Sequence, residues 1–145
     1  MFHSDYMRKA ICEALKCDSD VPVGAVIVKD NIIIGSGHNT REEDNKITGH
    51  AEICAINAAC ETLGSWHLEN CDIYVTLEPC PMCAGAIKAA KIRSVYFGAF
   101  NKTDGAALSV YNLLYPEVIV YPGILREECS RLLTDFFEKL RLRNS

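Results

Sequence analysis

His50-Ala51-Glu52 and Pro79-Cys80-Pro81-Met82-Cys83 gather, at two points of the chain, side chains that bind borderline-soft metal ions. Zinc accepts imidazole nitrogen and thiolate sulfur, and a zinc centre that performs chemistry keeps three protein ligands and a fourth position for water. Two thiolates and an imidazole favour it over hard cations. Cys80 and Cys83 stand three apart at the start of a predicted helix, so both thiols can reach one point. The free amides and dipole of that first turn favour the thiolate form. His50 also falls at a predicted helix start, so two helix ends can converge on one zinc ion per chain.

Glu52 separates this pattern from a plain metal site. Two positions along a regular helix turn a side chain by about 200°, which places Glu52 badly for ligation beside His50. At a helix end it can still reach over a metal-bound water, whose pKa zinc lowers from about 15.7 to about 7. The carboxylate would take that water's proton and deliver it to a ring nitrogen and a leaving amine. H-x-E followed by P-C-x-x-C is the described signature of zinc-dependent base deaminases, so this is a match to a known pattern. Each half is weak alone, and together they are specific. Two other readings stand beside it. A structural zinc site needs a fourth protein ligand, for which His38, Cys54, His67 or Cys71 could serve, none with motif-like spacing. A thioredoxin-like redox pair also follows strand–CxxC–helix order, but leaves His50 and Glu52 without a use.

The elements that must position these residues follow from periodicity. Ser4 can cap a first helix to about Lys16, with Met7, Ile11 and Leu15 on one face. Val23–Val28 and Ile32–Ile34 flank Asp30-Asn31 as a tight hairpin. A polar loop, Gly35–Gly49, leads to a helix over His50–Leu63 whose buried stripe is Ile53, Ile56, Ala59, Cys60 and Leu63. Asp72–Leu77 reads as a strand. Pro79 to Pro81 ends it and opens a helix to about Lys91, since proline early in a helix costs little. Arg93–Phe97 and Glu117–Tyr121 read as strands, with a loop over Gly98–Ala107 and a short helix over Leu108–Leu114. The last helix runs from about Leu125 to Leu142, with Leu125, Cys129, Leu132, Leu133, Phe136 and Leu140 available for packing. An opening hairpin followed by helix-linked strands predicts a three-layer α/β domain with a mixed sheet.

Composition sets the outer bounds. At 145 residues, the chain suits a single domain over 1–145. It is 49% apolar and 23% charged, an ordinary balance for a globular protein. No apolar run approaches the roughly 20 residues of a membrane span. The opening segment lacks the basic start and continuous apolar run of a secretory signal, so a cytoplasmic location is expected. Of eight cysteines, Cys12, Cys54, Cys60 and Cys129 sit at helical spacing among apolar residues and read as small hydrophobes. Cys17 and Cys71 fall at element edges. The net charge of −4 argues against broad nucleic-acid binding but leaves room for local patches. Lys139, Arg141 and Arg143 read first as a solvated helix end.

Beyond the metal motif the sequence resembles the tRNA-specific adenosine deaminases. The resemblance is carried by VPVGAVIV (21–28), GHNTREE (37–43), HAEICAIN (50–57), YVTLEPCPMCAGAI (74–87), VYFGA (95–99) and GILREEC (123–129), with DFF (135–137) after them. It implies an αβα cytidine-deaminase-like fold with a mixed five-stranded sheet, a homodimer whose paired surfaces build each active site, and a tRNA anticodon loop as partner. By matching positions, Asn39 would hydrogen-bond a flipped base, as an amide offers both donor and acceptor. Without the resemblance, Asn39 reads equally as a turn residue. Val23, Leu77 and Pro79 would line the base pocket, and the Ala51 amide would frame the reacting carbon. Phe137 would lie near RNA, whereas Phe136 reads as core.

The sequence also departs from that family. Asn101 stands where many members carry Asp, removing one negative charge near the substrate. The stretch between Ser109 and Gly123 is shorter than in the family and lacks its Asn-His pair, and few cations follow Phe137. RNA is held largely through phosphate contacts from cations. The expected reaction is hydrolytic deamination of adenosine to inosine at a tRNA wobble position. The alternative is deamination of a free nucleobase or nucleoside (guanine, cytosine or a modified purine) at the same zinc site. A catalytically silent RNA-binding or zinc-structural module would have no use for Glu52.

Overall fold

A computed structural model describes residues 2–144. Along the chain run α1 (His3–Ala14), β1 (Gly24–Lys29), β2 (Ile32–His38), α2 (Arg41–Asp44), α3 (Ala51–Leu63), β3 (Cys71–Leu77), α4 (Pro81–Ala89), β4 (Ser94–Ala99), β5 (Ile119–Tyr121) and α5 (Arg126–Arg143). The strands form one sheet in the order β2-β1-β3-β4-β5. β1 is antiparallel to both β2 and β3, while β3, β4 and β5 are parallel.

The two-residue period of the strands dictates the layers. Ala25, Ile27, Ile73, Val75, Val95 and Phe97 face one side, where Ala51, Ala55, Ile56 and Ala59 of α3 and Ala84 and Ile87 of α4 cover them. Val26, Val28, Tyr74 and Tyr96 face the other, under Tyr6, Met7 and Ala10 of α1 and Cys129 of α5. A sheet apolar on both faces needs a helical layer on each, and this is the expected three-layer αβα arrangement with a mixed five-stranded sheet. Parallel pairing sets Tyr74 opposite Tyr96 and Tyr96 opposite Tyr121. Their rings stack at 4.4 and 4.5 Å, which ties three strands to one register.

Several local expectations are corrected. Ser4 does not cap α1: Phe2 occupies the cap position and donates its N–H to Asp5 at 2.9 Å. The buried face of that helix is Tyr6, Met7, Ala10 and Ala14, which leaves Leu15 and Cys12 exposed. Cys12 is therefore no core hydrophobe. The buried stripe of α3 is Ala51, Glu52, Ala55, Ile56 and Ala59, with Ile53, Cys60 and Leu63 only partly covered. β2 continues through His38, and the supposed loop holds the short α2. Gly37 explains the longer strand: a Cβ there would lie 2.6 Å from the Cys54 Cβ and 2.7 Å from the Ala51 carbonyl oxygen, so its absence lets α3 lie directly on β2. Leu108–Leu114 forms no helix: a turn ends at Ser109 and the chain then runs irregularly to Leu114. The Asp30-Asn31 turn is as expected, with both residues left-handed at φ 51 and 64.

Candidate active site

β3 ends at Leu77, and the next residues carry the chain over the C-terminal edge of the parallel strands, where α/β sheets commonly place their sites. Cys80 is the N-cap of α4 and His50 the N-cap of α3. Both have extended backbones and neither side chain caps its own helix, so imidazole and thiol are free to face each other. Pro81 fixes the first turn of α4 without forfeiting a hydrogen bond. Cys83 comes back one turn later to the same point.

His50 Nδ1 lies 3.7 Å from Cys80 Sγ and 3.5 Å from Cys83 Sγ. All three donor atoms fall within 4.8 Å of one another, and no other such group occurs among the described residues. A tetrahedral zinc with ordinary bond lengths separates nitrogen from sulfur by about 3.6 Å. The donor set therefore fits zinc in both chemistry and spacing. The candidate fourth ligands are engaged elsewhere. His38 faces Glu13 at 3.6 Å, and His67 faces Glu69 at 3.4 Å. Cys54 contacts the Thr40 hydroxyl, and Cys71 donates to the Glu69 carbonyl. Three protein donors and an open side suit a reactive centre better than a structural one.

The electrostatics are those of a shared-proton cluster. A hydrogen bond with Cys83, and then proximity to His50, lower the Cys80 pKa to about 4. The same bond and burial push Cys83 up. His50 is raised by its bond to Cys80. Glu52, only 4% exposed, has its carboxyl pushed up to about 7 by burial. A carboxyl poised there can take and return a proton near neutrality.

A cleft of about 180 Å³ opens over the cluster, lined by Val21, Val23, Asn39, Arg41, His50, Glu52, Leu77, Glu78, Cys80, Asn101 and Asp104. That is below the roughly 300 Å³ of sites enclosing drug-sized ligands, and suits a single base. Val23, Asn39, Leu77 and Asn101 line this cleft together with His50, Glu52 and Cys80. The Asn39 amide is already committed on both sides: its nitrogen donates to the Val21 carbonyl at 2.8 Å, and its oxygen accepts the Ala51 N–H at 2.9 Å. Ala51 and Pro79 are buried and do not line the cleft, contrary to the expectation for Pro79, whose carbonyl instead accepts the Ala106 N–H at 2.8 Å. Phe137 is exposed on α5, edge-on to Phe136, and the structure does not bring it to this cleft.

Val21, Arg41, Glu78 and Asp104 were missed from sequence. Val21, Arg41 and Glu78 lie inside the strings that carry the family resemblance, which was the available signal. Glu78 is 1% exposed, and its carboxylate accepts the backbone N–H of Asn101 (3.1 Å), Ala107 (3.2 Å), Leu108 (2.8 Å) and Ser109 (2.9 Å), and the Ser109 hydroxyl. Burial opposes its ionisation, yet these donors outweigh burial and hold the carboxyl below its ordinary range.

Residues 1–99 match the cytidine and deoxycytidylate deaminase zinc-binding region. A tRNA-specific adenosine deaminase of Bacillus subtilis (strain 168) is 45% identical over 143 residues, covering 94% of this chain and 89% of that one. A structure solved for A-to-I editing by tRNA:A34 deaminases at the wobble position of transfer RNA superposes with a TM-score of 0.86 at 40% identity, covering 90% of this chain and all of the other. Guanine deaminase from Bacillus subtilis superposes at 0.67 with 39% identity, over 77% of this chain and 73% of that one.

Proposed function

The chain belongs to the cytidine and deoxycytidylate deaminase family, and from that premise we propose that it hydrolytically deaminates adenosine to inosine at the wobble position of a tRNA anticodon. One observation carries the chemistry: His50, Cys80 and Cys83 converge on a zinc-sized point beside buried Glu52, under a base-sized cleft. Similarity over nearly the whole length to tRNA-specific adenosine deaminases supports the substrate.

In this reading, His50 Nδ1 and the Cys80 and Cys83 sulfurs hold one zinc ion. Bound there, zinc supplies Lewis acidity and an activated water nucleophile. Val23 and Leu77 pack the base, and Asn39 meets its edge with the donor and acceptor capacity left after its internal bonds. Ala51 and Pro79 seat the two helix starts against the reacting carbon. Glu52 takes a proton from water, places it on adenine N1, and passes a proton to the departing exocyclic nitrogen. Water and adenosine become inosine and ammonia. Asn101 borders the strand that enters the cleft, and exposed Phe137 offers a ring to flanking nucleotides.

The chain acts as one domain and as a homodimer in the cytoplasm, for which exposed Leu108, Val110, Tyr111 and Leu113 supply apolar surface. Among the described residues, no helix is long and apolar enough to cross a membrane. The 39% identity to guanine deaminase supports a second reading, deamination of a free base at the same centre. Assaying zinc-loaded protein on an anticodon stem-loop beside a panel of free bases and nucleosides separates the two. Inosine in the RNA supports the first; turnover confined to small molecules replaces it with the second.

A further inference from the structure

The buried Glu78 carboxylate has no part in the proton transfers above, and burying a charge is expensive unless donors replace the lost water. Here the donors are replaced in full, and all belong to one segment. The chain between β4 and β5 forms no helix, yet Glu78 binds it at both ends of one loop: at Asn101, where it enters, and at Ala107, Leu108 and Ser109, where it leaves. The Glu78 N–H is given to the Ala99 carbonyl, and the adjoining Pro79 carbonyl takes the Ala106 N–H. Between these anchors, Asn101 and Asp104 project into the cleft, joined by a 2.7 Å hydrogen bond. Two residues beyond Glu78 is Cys80. One side chain thus ties the cleft's outer wall to the strand that presents the metal donors.

We propose that Glu78 is a positioning residue that holds loop 101–109 in the conformation receiving the substrate, and so sets substrate affinity rather than the rate of the chemical step. The proposal rests on the reading of this cleft as the site for adenosine in RNA. A carboxylate is required because five donors converge on it. A glutamine there would turn an NH2 toward amide hydrogens.

The test is Glu78→Gln in the zinc-loaded full chain, read by zinc content, by KM and kcat on an anticodon stem-loop, and by hydrogen exchange at the Leu108 and Ser109 amides. The expected result is unchanged zinc, kcat within about threefold, and KM and amide exchange both raised roughly tenfold or more. Unchanged exchange, or a fall in kcat with KM unmoved, overturns it. Gly105→Ala presses the same contact without removing the charge, because its Cβ would lie 2.5 Å from Glu78 Oε1 and 2.4 Å from the Asn101 carbonyl oxygen. It should reproduce both changes even where Glu78→Gln does not fold, and wild-type values in this variant also overturn the proposal. Exchange needs no substrate. A wild-type protein inert on RNA defeats the functional reading, and the amides of Leu108 and Ser109 still decide the role of Glu78.

Discussion

Asn39 caps helix α3 from outside it: its side-chain oxygen accepts the N–H of Ala51 at 2.9 Å, one residue after the His50 donor. The first amide of a helix has no partner within that helix, and leaving it buried and unpaired costs about 1–3 kcal/mol. The bond therefore fixes the turn that aims His50 at Cys80 and Cys83.

Asn39→Leu removes the cap and the tie to Val21 while keeping bulk. Urea unfolding should show a loss of about 1–3 kcal/mol, with weaker zinc retention against a chelator. Asn39→Asp keeps the acceptor for Ala51 and should retain zinc better than Asn39→Leu. Equal zinc retention in both variants contradicts the capping role.

The pH dependence of the zinc-stripped chain follows from Glu52. Burial pushes its folded-state carboxyl up to about 7, from an ordinary value of 4.5. Because the folded pKa is the higher one, its contribution to stability is fully present below the unfolded value and lost as pH rises through the folded value. The urea midpoint of the stripped wild type, relative to Glu52→Gln, should fall between about pH 5 and about pH 8. A pH-independent difference between the two proteins would contradict the assigned shift.

Alkylation should sort the cysteines by environment. Cys12 is exposed and reacts in the native protein, whereas Cys129 is 1% exposed with its thiol pushed up to about 12 by burial, and waits for unfolding. Cys80, half-buried and lowered to about 4, should be shielded while zinc is bound and become reactive once a chelator removes it. Mass spectrometry of peptides from loaded and stripped protein checks this. Equal Cys80 labelling in both contradicts its place as a ligand.

The sequence revealed most where function is local. Cys80 and Cys83 sit within one helical turn, and His50 and Glu52 within three residues, so their types and spacing were enough to propose the centre. Element order, an opening hairpin followed by helix-linked strands, made a mixed sheet with helices on both faces legible as well. Glu78 was not legible, because its partners lie 23 to 31 residues away and are backbone amides that leave no trace in residue type. The helix expected at Leu108–Leu114 fails one step further on, where Val110 and Tyr111 both give their N–H to the Gly105 carbonyl and Leu113 gives its N–H to that of Ala106, five to seven residues back rather than four. The Asn39–Ala51 bond spans 12 residues, and spacing alone left Asn39 divided between turn and ligand.

Glu52→Ala tests the account most directly, with zinc per chain and inosine formed in an anticodon stem-loop measured on the same preparation. In the proposed reaction Glu52 carries protons and is not one of the three metal donors, His50, Cys80 and Cys83. The variant should carry wild-type zinc and lose activity by roughly 10²-fold or more. Retained activity would contradict the proton-carrying role, and loss of zinc in step with activity would make Glu52 a support of the metal site instead.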